Sequence, residues 1–162
     1  QLNIQRLFYV ACLTETPLNQ IKHLFNIEGR IINFKPYGVV FRKDDFANQY
    51  QGTPCIYVNG NNKKLINSFW SLYNNSITNN FNDDFNKIGA LTNKFQDDFD
   101  FSWEREWRIL GDFNFDPGSV IAIISEDENI TLPKEYSRIL MINPDWSYEQ
   151  MILKLAQHSN TN

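Results

Sequence analysis

Trp103-Glu104-Arg105-Glu106-Trp107-Arg108-Ile109-Leu110 leads, through a loop over Asp112 to Gly118, into Val120-Ile121-Ala122-Ile123-Ile124. The second run is short, apolar and rich in β-branched residues, the composition of a core strand. Glu106 to Leu110 reads as a strand too. Strands that follow one another this closely point to a mixed or mostly antiparallel sheet.

Helical patterns interleave with the strands on either side. Gln5 to Thr14 reads as a buried strand. Thr16-Pro17 then opens a helix, with Thr16 as its cap and Pro17 in the first helical position. Leu18, Ile21, Leu24 and Phe25 recur at helical spacing, and Gly29 follows as a stop. Tyr37 to Phe41 is a second strand, with Asp44 capping a short helix beyond it. Cys55 to Val58 is a third, ended by the turn signal Asn59-Gly60-Asn61-Asn62.

Lys63 to Tyr73 carries Leu65, Ile66, Phe69 and Leu72 on one helical side. The Asn-, Asp- and Phe-rich stretch 74–100 is expected to be a lid or insertion that packs onto the body. Pro133 to Tyr136 starts a short helix, Ile139 to Ile142 is a strand, and Asp145 caps a last helix. The mixture gives an α+β fold with a mixed, mostly antiparallel sheet and flanking helices. A length of 162 residues suits a single domain over 1–162.

Composition narrows the function classes. Hydrophobic residues are 42% and aromatics 15%, enough for a core, so disorder throughout is not expected. A net charge of -4 advertises no broad basic face for nucleic acid and favours a small-molecule or protein partner. No apolar run approaches a membrane helix and no secretory signal is visible, so a soluble, cytoplasmic protein is expected. The chain opens on Gln1, not Met, so an element that completes a site can lie upstream. Cys12 and Cys55 sit in apolar strands and read as buried thiols in a reducing compartment.

Trp103 to Arg108 packs two carboxylates, two guanidiniums and two indoles into six positions. As a continuous strand it would place Glu104, Glu106 and Arg108 on one face, and Trp103, Arg105 and Trp107 on the other. Neighbouring carboxylates repel, so one pKa should rise unless Arg108 or a ligand cation compensates. Such a pair suits a general base, or a carboxylate that orients a sugar hydroxyl and stabilises cationic charge. The same residues equally make a ladder of ion pairs flanked by packing tryptophans.

Thr14 and Glu15 stand where a strand runs into a helix, a common place for binding groups. Glu15 is also explained by the helix dipole alone. His23 and His158 are the only histidines, and no zinc, P-loop or serine-hydrolase pattern exists. Asp83, Asp84, Asp97, Asp98 and Asp100 lie in an irregular context that suits a solvated segment better than a cation site.

Several of these pieces occur together in a known family. The chain resembles the AbiGi family of abortive phage-resistance proteins, an antitoxin partner in a two-gene system. The resemblance rests on Val10 to Leu18, Tyr37-Gly38-Val39-Val40-Phe41-Arg42-Lys43, Thr53 to Val58, and Trp103-Glu104-Arg105-Glu106-Trp107-Arg108. It covers about two thirds of the chain, departing at Leu13, where an aromatic is usual, and has no counterpart for 74–100. It implies a bacterial antiphage setting and a protein partner, a toxin or defence-system subunit, and it settles neither an activity nor a cofactor.

A weaker likeness is to ADP-ribosyltransferases of the DarT and Glu-x-Glu type. It implies NAD as cosubstrate, Glu106 on the ribose and Glu104 on the acceptor. Tyr37 or Tyr57 would stack on nicotinamide, with Thr14, Glu15 and Arg108 around the pocket. The Arg or His expected on the first strand has only Arg6 to offer. A metal-dependent nuclease ranks last, for want of the usual paired Lys.

Overall fold

The computed structural model describes residues 9–28, 33–78, 83–95 and 100–159. The start of the first expected strand, Arg6, the Gly29 stop, Asp97 and Asp98 lie outside them.

The fold is α+β, with small, mostly antiparallel sheets, and the chain divides into two compact units. The first takes Gln1–Glu15 and Tyr50–Asn114; the second takes Thr16–Gln49 and Phe115–Asn162.

In the first unit, strand β1 (Val10–Thr14) and the two-residue β3 (Thr53–Pro54) flank the central β6 (Glu106–Leu110), all antiparallel. Pro54 has no N–H to give a ladder and sits in an edge strand, where none is required. A second pair, β4 (Ile56–Asn59) and β5 (Thr92–Phe95), runs parallel. Parallel partners need a long crossover. Here it is made by helices α2 (Lys63–Thr78) and α3 (Asp83–Ala90).

The stretch 74–100 thus supplies the end of α2, then α3 and β5. The chain changes sheet at Cys55. Its N–H bonds to the Glu106 carbonyl at 2.8 Å, and the next N–H, of Ile56, bonds to Leu91 at 2.8 Å. Cys55, Val58 and Ala90 are buried here.

In the second unit, the central β7 (Val120–Ser125) lies between β2 (Tyr37–Phe41), antiparallel, and β8 (Leu140–Ile142), parallel. The sequence puts Glu106–Leu110 and Val120–Ile124 in close succession, yet β6 and β7 belong to different sheets. Each finds its partners elsewhere in the chain, β6 with β1 and β3 and β7 with β2 and β8, because the pairing is decided by which strands can bury a common face.

Ile21, Leu24 and Ile124 form one core cluster; Ala122, Ile142 and Met151 form another, with Leu140 and Trp146 against it. Helices α1 (Lys43–Asn48) and α4 (Tyr148–Ser159) complete the unit. Among the described residues, no helix is long and apolar enough to cross a membrane.

The helix caps differ from the sequence expectations. Leu18–Leu24 is a 3-10 helix with Pro17 at its N-cap and no side-chain cap bond, and Thr16 is buried instead. Arg42, not Asp44, precedes α1, and Asp44 falls in its first turn, where a carboxylate meets the positive helix end. At α4 the cap is Ser147, in a reciprocal box with Gln150. The Gln150 N–H donates to Ser147 Oγ at 3.3 Å, and the Ser147 N–H to Gln150 Oε1 at 2.7 Å. Asp145 stands in the preceding turn, its N–H bonded to Asn143.

Candidate functional site: the Glu106–Arg108 clasp

The site lies within the first unit and starts from a break in the expected strand. Ser102–Glu104 forms a 3-10 turn, and Arg105 takes the left-handed conformation, with φ 48° and ψ 55°. A left-handed residue reverses the alternation that a strand would impose. Glu104 is therefore not on a strand face beside Glu106. It is buried in the turn, at 7% exposure, while Arg105 is exposed.

Regular pairing begins at Glu106. Thr14 stands opposite Glu106, Cys12 opposite Arg108, and Thr53 opposite Arg108 from the other side. These side chains share one face. Leu13, Trp107 and Pro54 line the other.

On the first face Arg108 grips Glu106 in a fork. Nε donates to Oε1 at 3.1 Å and Nη2 to Oε2 at 2.9 Å. Nη1 reaches further, donating to the carbonyls of Ala90 at 2.7 Å and Thr92 at 3.1 Å. The guanidinium thus ties β6 to the junction of α3 and β5. Asn93 Nδ2 adds a 3.3 Å bond to Oε2.

The side chains are 13% and 17% exposed for Arg108 and Glu106, so solvent screens the pair little. Burial alone would raise the Glu106 carboxyl. The bonds from Arg108, Cys12 and Asn93, with the Arg108 charge, outweigh it and hold the carboxyl below its usual range. Burial works against the Arg108 charge too, but Glu106 more than restores it, and its pKa is raised.

The two thiols lie against the same carboxylate. Cys55 is buried as expected, but Cys12 is exposed, because β1 is an edge strand. Surrounding protein, then the Glu106 carboxylate, pushes Cys12 up to about 12. Burial pushes Cys55 up to about 11, against the Arg108 charge.

The other expected site residues gather around the corner. The Tyr57 hydroxyl accepts the Glu106 N–H at 2.8 Å, and burial raises its pKa. The Thr14 hydroxyl donates to the Glu104 carbonyl. The Glu15 N–H bonds to the Arg105 carbonyl at 3.2 Å, and its Oε2 accepts Trp107 Nε1 at 3.0 Å.

Thr14, Glu15, Tyr57, Glu104, Glu106 and Arg108 thus belong to one cluster. Tyr37 belongs to the second unit, at 51% exposure on β2. The sequence reading missed Asn93 and the role of both cysteines. Strand parity could have flagged Cys12, two residues before Thr14; nothing in the sequence marks Asn93.

Chemically, the cluster is closed. Both Glu106 oxygens already accept hydrogen bonds, and a carboxylate held at low pKa is a weak base. Among the described residues, no group of three or more His, Cys, Asp or Glu side chains is placed to hold a metal ion. Comparison with protein-family models, with curated proteins and with solved structures gave no match.

Proposed function

We propose that this chain is a bacterial antiphage defence component that acts by binding a protein partner, as a toxin–antitoxin or regulatory module in the cytoplasm. The observation that carries this reading is the fork between Arg108 and Glu106, with Nη1 spent on two backbone carbonyls. A carboxylate so engaged suits a structural corner better than a reacting group. The Glu-Arg-Glu-Trp-Arg segment, which carries the AbiGi resemblance, is then a device that joins two sheets. The test is co-expression and co-purification with the product of the neighbouring gene. The reading expects a stable complex and rescue from toxicity; free monomeric protein with no rescue would refute it.

A second reading, an NAD-consuming ADP-ribosyltransferase-like enzyme, draws on Glu106 at the head of β6 with the Tyr57 hydroxyl on its backbone N–H. Incubation with labelled NAD and cell extract, wild type against Glu106→Gln, decides it. Label transfer lost in the variant would favour this reading over the first. Neither transfer nor NAD loss would remove it.

A further inference from the structure

In the second unit, β8 is an edge strand: β7 pairs with one side of it, and the order β2-β7-β8 ends there. A cavity of about 400 Å³ opens beside it, lined by Ile139, Leu140 and Met141 with Ile130, Leu132, Ser137, Glu128 and His158. Successive strand residues point to opposite faces. Leu140 and Met141 are successive in β8 and both line the cavity, with Ile139 in the bend before the strand, so the cavity reaches the strand's edge and not one face alone. Leu140 and Met141 are part-exposed there, while Ile142 is buried. No backbone bond joins the outer edge of β8 to another described segment.

The wall of this cavity is braced. Glu128 Oε1 accepts Trp146 Nε1 at 3.1 Å and Asn143 Nδ2 at 3.3 Å, which ties the loop after β7 to the turn after β8. Among the described lining residues, Glu128 is the only carboxylate. It continues Glu126 and Asp127, and none of the three is in an ion pair among the described residues. Lys134 and Arg138 lie in the same connection but not in the lining.

We infer that the β8 edge is a peptide-docking site. It takes an extended segment of a protein partner as an added strand, with an apolar side chain in the cavity and a neighbouring Lys or Arg against Glu128. An edge supplies main-chain bonds, the cavity supplies side-chain selection, and the carboxylates supply the sign of charge. This inference rests on the binding reading above and gives that reading a surface.

The test uses isotope-labelled full chain and short synthetic peptides of alternating Thr and Val around a central Leu-Lys pair. Controls replace that Lys by Glu, or carry N-methyl groups on alternate amides. The docking site expects amide shifts at Ile139 to Met141, roughly tenfold weaker binding of the Glu peptide, and loss of binding on N-methylation. Glu126→Lys, an exposed change, should narrow the preference for Lys over Glu.

Shifts elsewhere, equal binding of the two charge forms, or no binding by any peptide would overturn the site. So would concentration-dependent dimerisation that moves the same amides without peptide. Co-purification of the neighbouring gene product is run in parallel with wild type and Ile130→Arg. Equal capture by both overturns the site while the binding reading stands; capture by neither overturns the binding reading itself.

Discussion

Arg108 closes on Glu106 two residues back along the same strand, with one nitrogen on each carboxylate oxygen, at 3.1 and 2.9 Å. Residues two apart on a strand share a face, so the contact is available locally. Its value comes from what else Arg108 holds. Its remaining bonds go to the carbonyls of Ala90 and Thr92, at the end of α3 and the start of β5.

Arg108→Ala should therefore be costly. It leaves a half-buried carboxylate without its counter-charge and strips two carbonyls of a donor, and breaking such a pair costs about 3–5 kcal/mol. Arg108→Lys should recover less than half, since an ammonium cannot fork onto both oxygens and both carbonyls. Urea unfolding midpoints check both; a loss near zero for Arg108→Ala would mean the clasp is ornamental.

Glu106 gives a pH dependence whose sign is fixed. Its carboxyl is lowered on folding from an ordinary 4.5. The folded state then binds its proton less readily than the unfolded chain. The stabilisation is fully present above the ordinary value and fades as pH falls through the lower folded value. The stability of wild type should fall as pH drops from the ordinary value through the lower folded one, while that of Glu106→Gln should be flatter over the same interval.

Cys12 is exposed yet should react slowly. With its thiol pushed to about 12, little thiolate exists at mild alkaline pH. Iodoacetamide should modify it at least ~10-fold more slowly than free cysteine. Glu106→Gln should accelerate it, because the carboxylate is the second cause of the raised value. Mass spectrometry of timed samples reads both rates.

Arg105 holds a left-handed backbone at φ 48°. A non-glycine residue there carries roughly 1 kcal/mol of strain. Arg105→Gly should be neutral or stabilise slightly, whereas Arg105→Val should cost about 1–2 kcal/mol, since branching at Cβ worsens the clash. Thermal unfolding should therefore show a lowered midpoint for Arg105→Val and a level or raised one for Arg105→Gly.

In the second unit, Ile142 is 2% exposed within the cluster of Ala122 and Met151. Ile142→Ala should cost about 2–5 kcal/mol through the cavity it leaves. Chemical denaturation measures it, and a change under 1 kcal/mol would show that the site collapses freely.

Much of the element pattern was legible in the sequence because it rests on local chemistry. The span Glu106 to Leu110, the strand from Val120, the helix from Lys63 and the α+β class follow from periodicity and turn residues. The caps at Thr16, Asp44 and Asp145 differ: Leu18–Leu24 and α1 start without any side-chain cap bond, and at α4 Ser147 takes the position expected of Asp145. The alternation through Glu104 failed at one residue, Arg105, whose left-handed backbone no composition rule marks.

The sequence by itself determined which residues carry the charge at this corner, and that Glu106 and Arg108 lie on one strand face. Only the tertiary structure decided what that face does. The Ala90 and Thr92 carbonyls and the Asn93 amide come from 13 to 18 residues away, and Tyr57 from 49. Such partners are set by which strands bury a face together. A carboxylate surrounded in this way is held ionised and fully bonded, whatever the motif alone suggests.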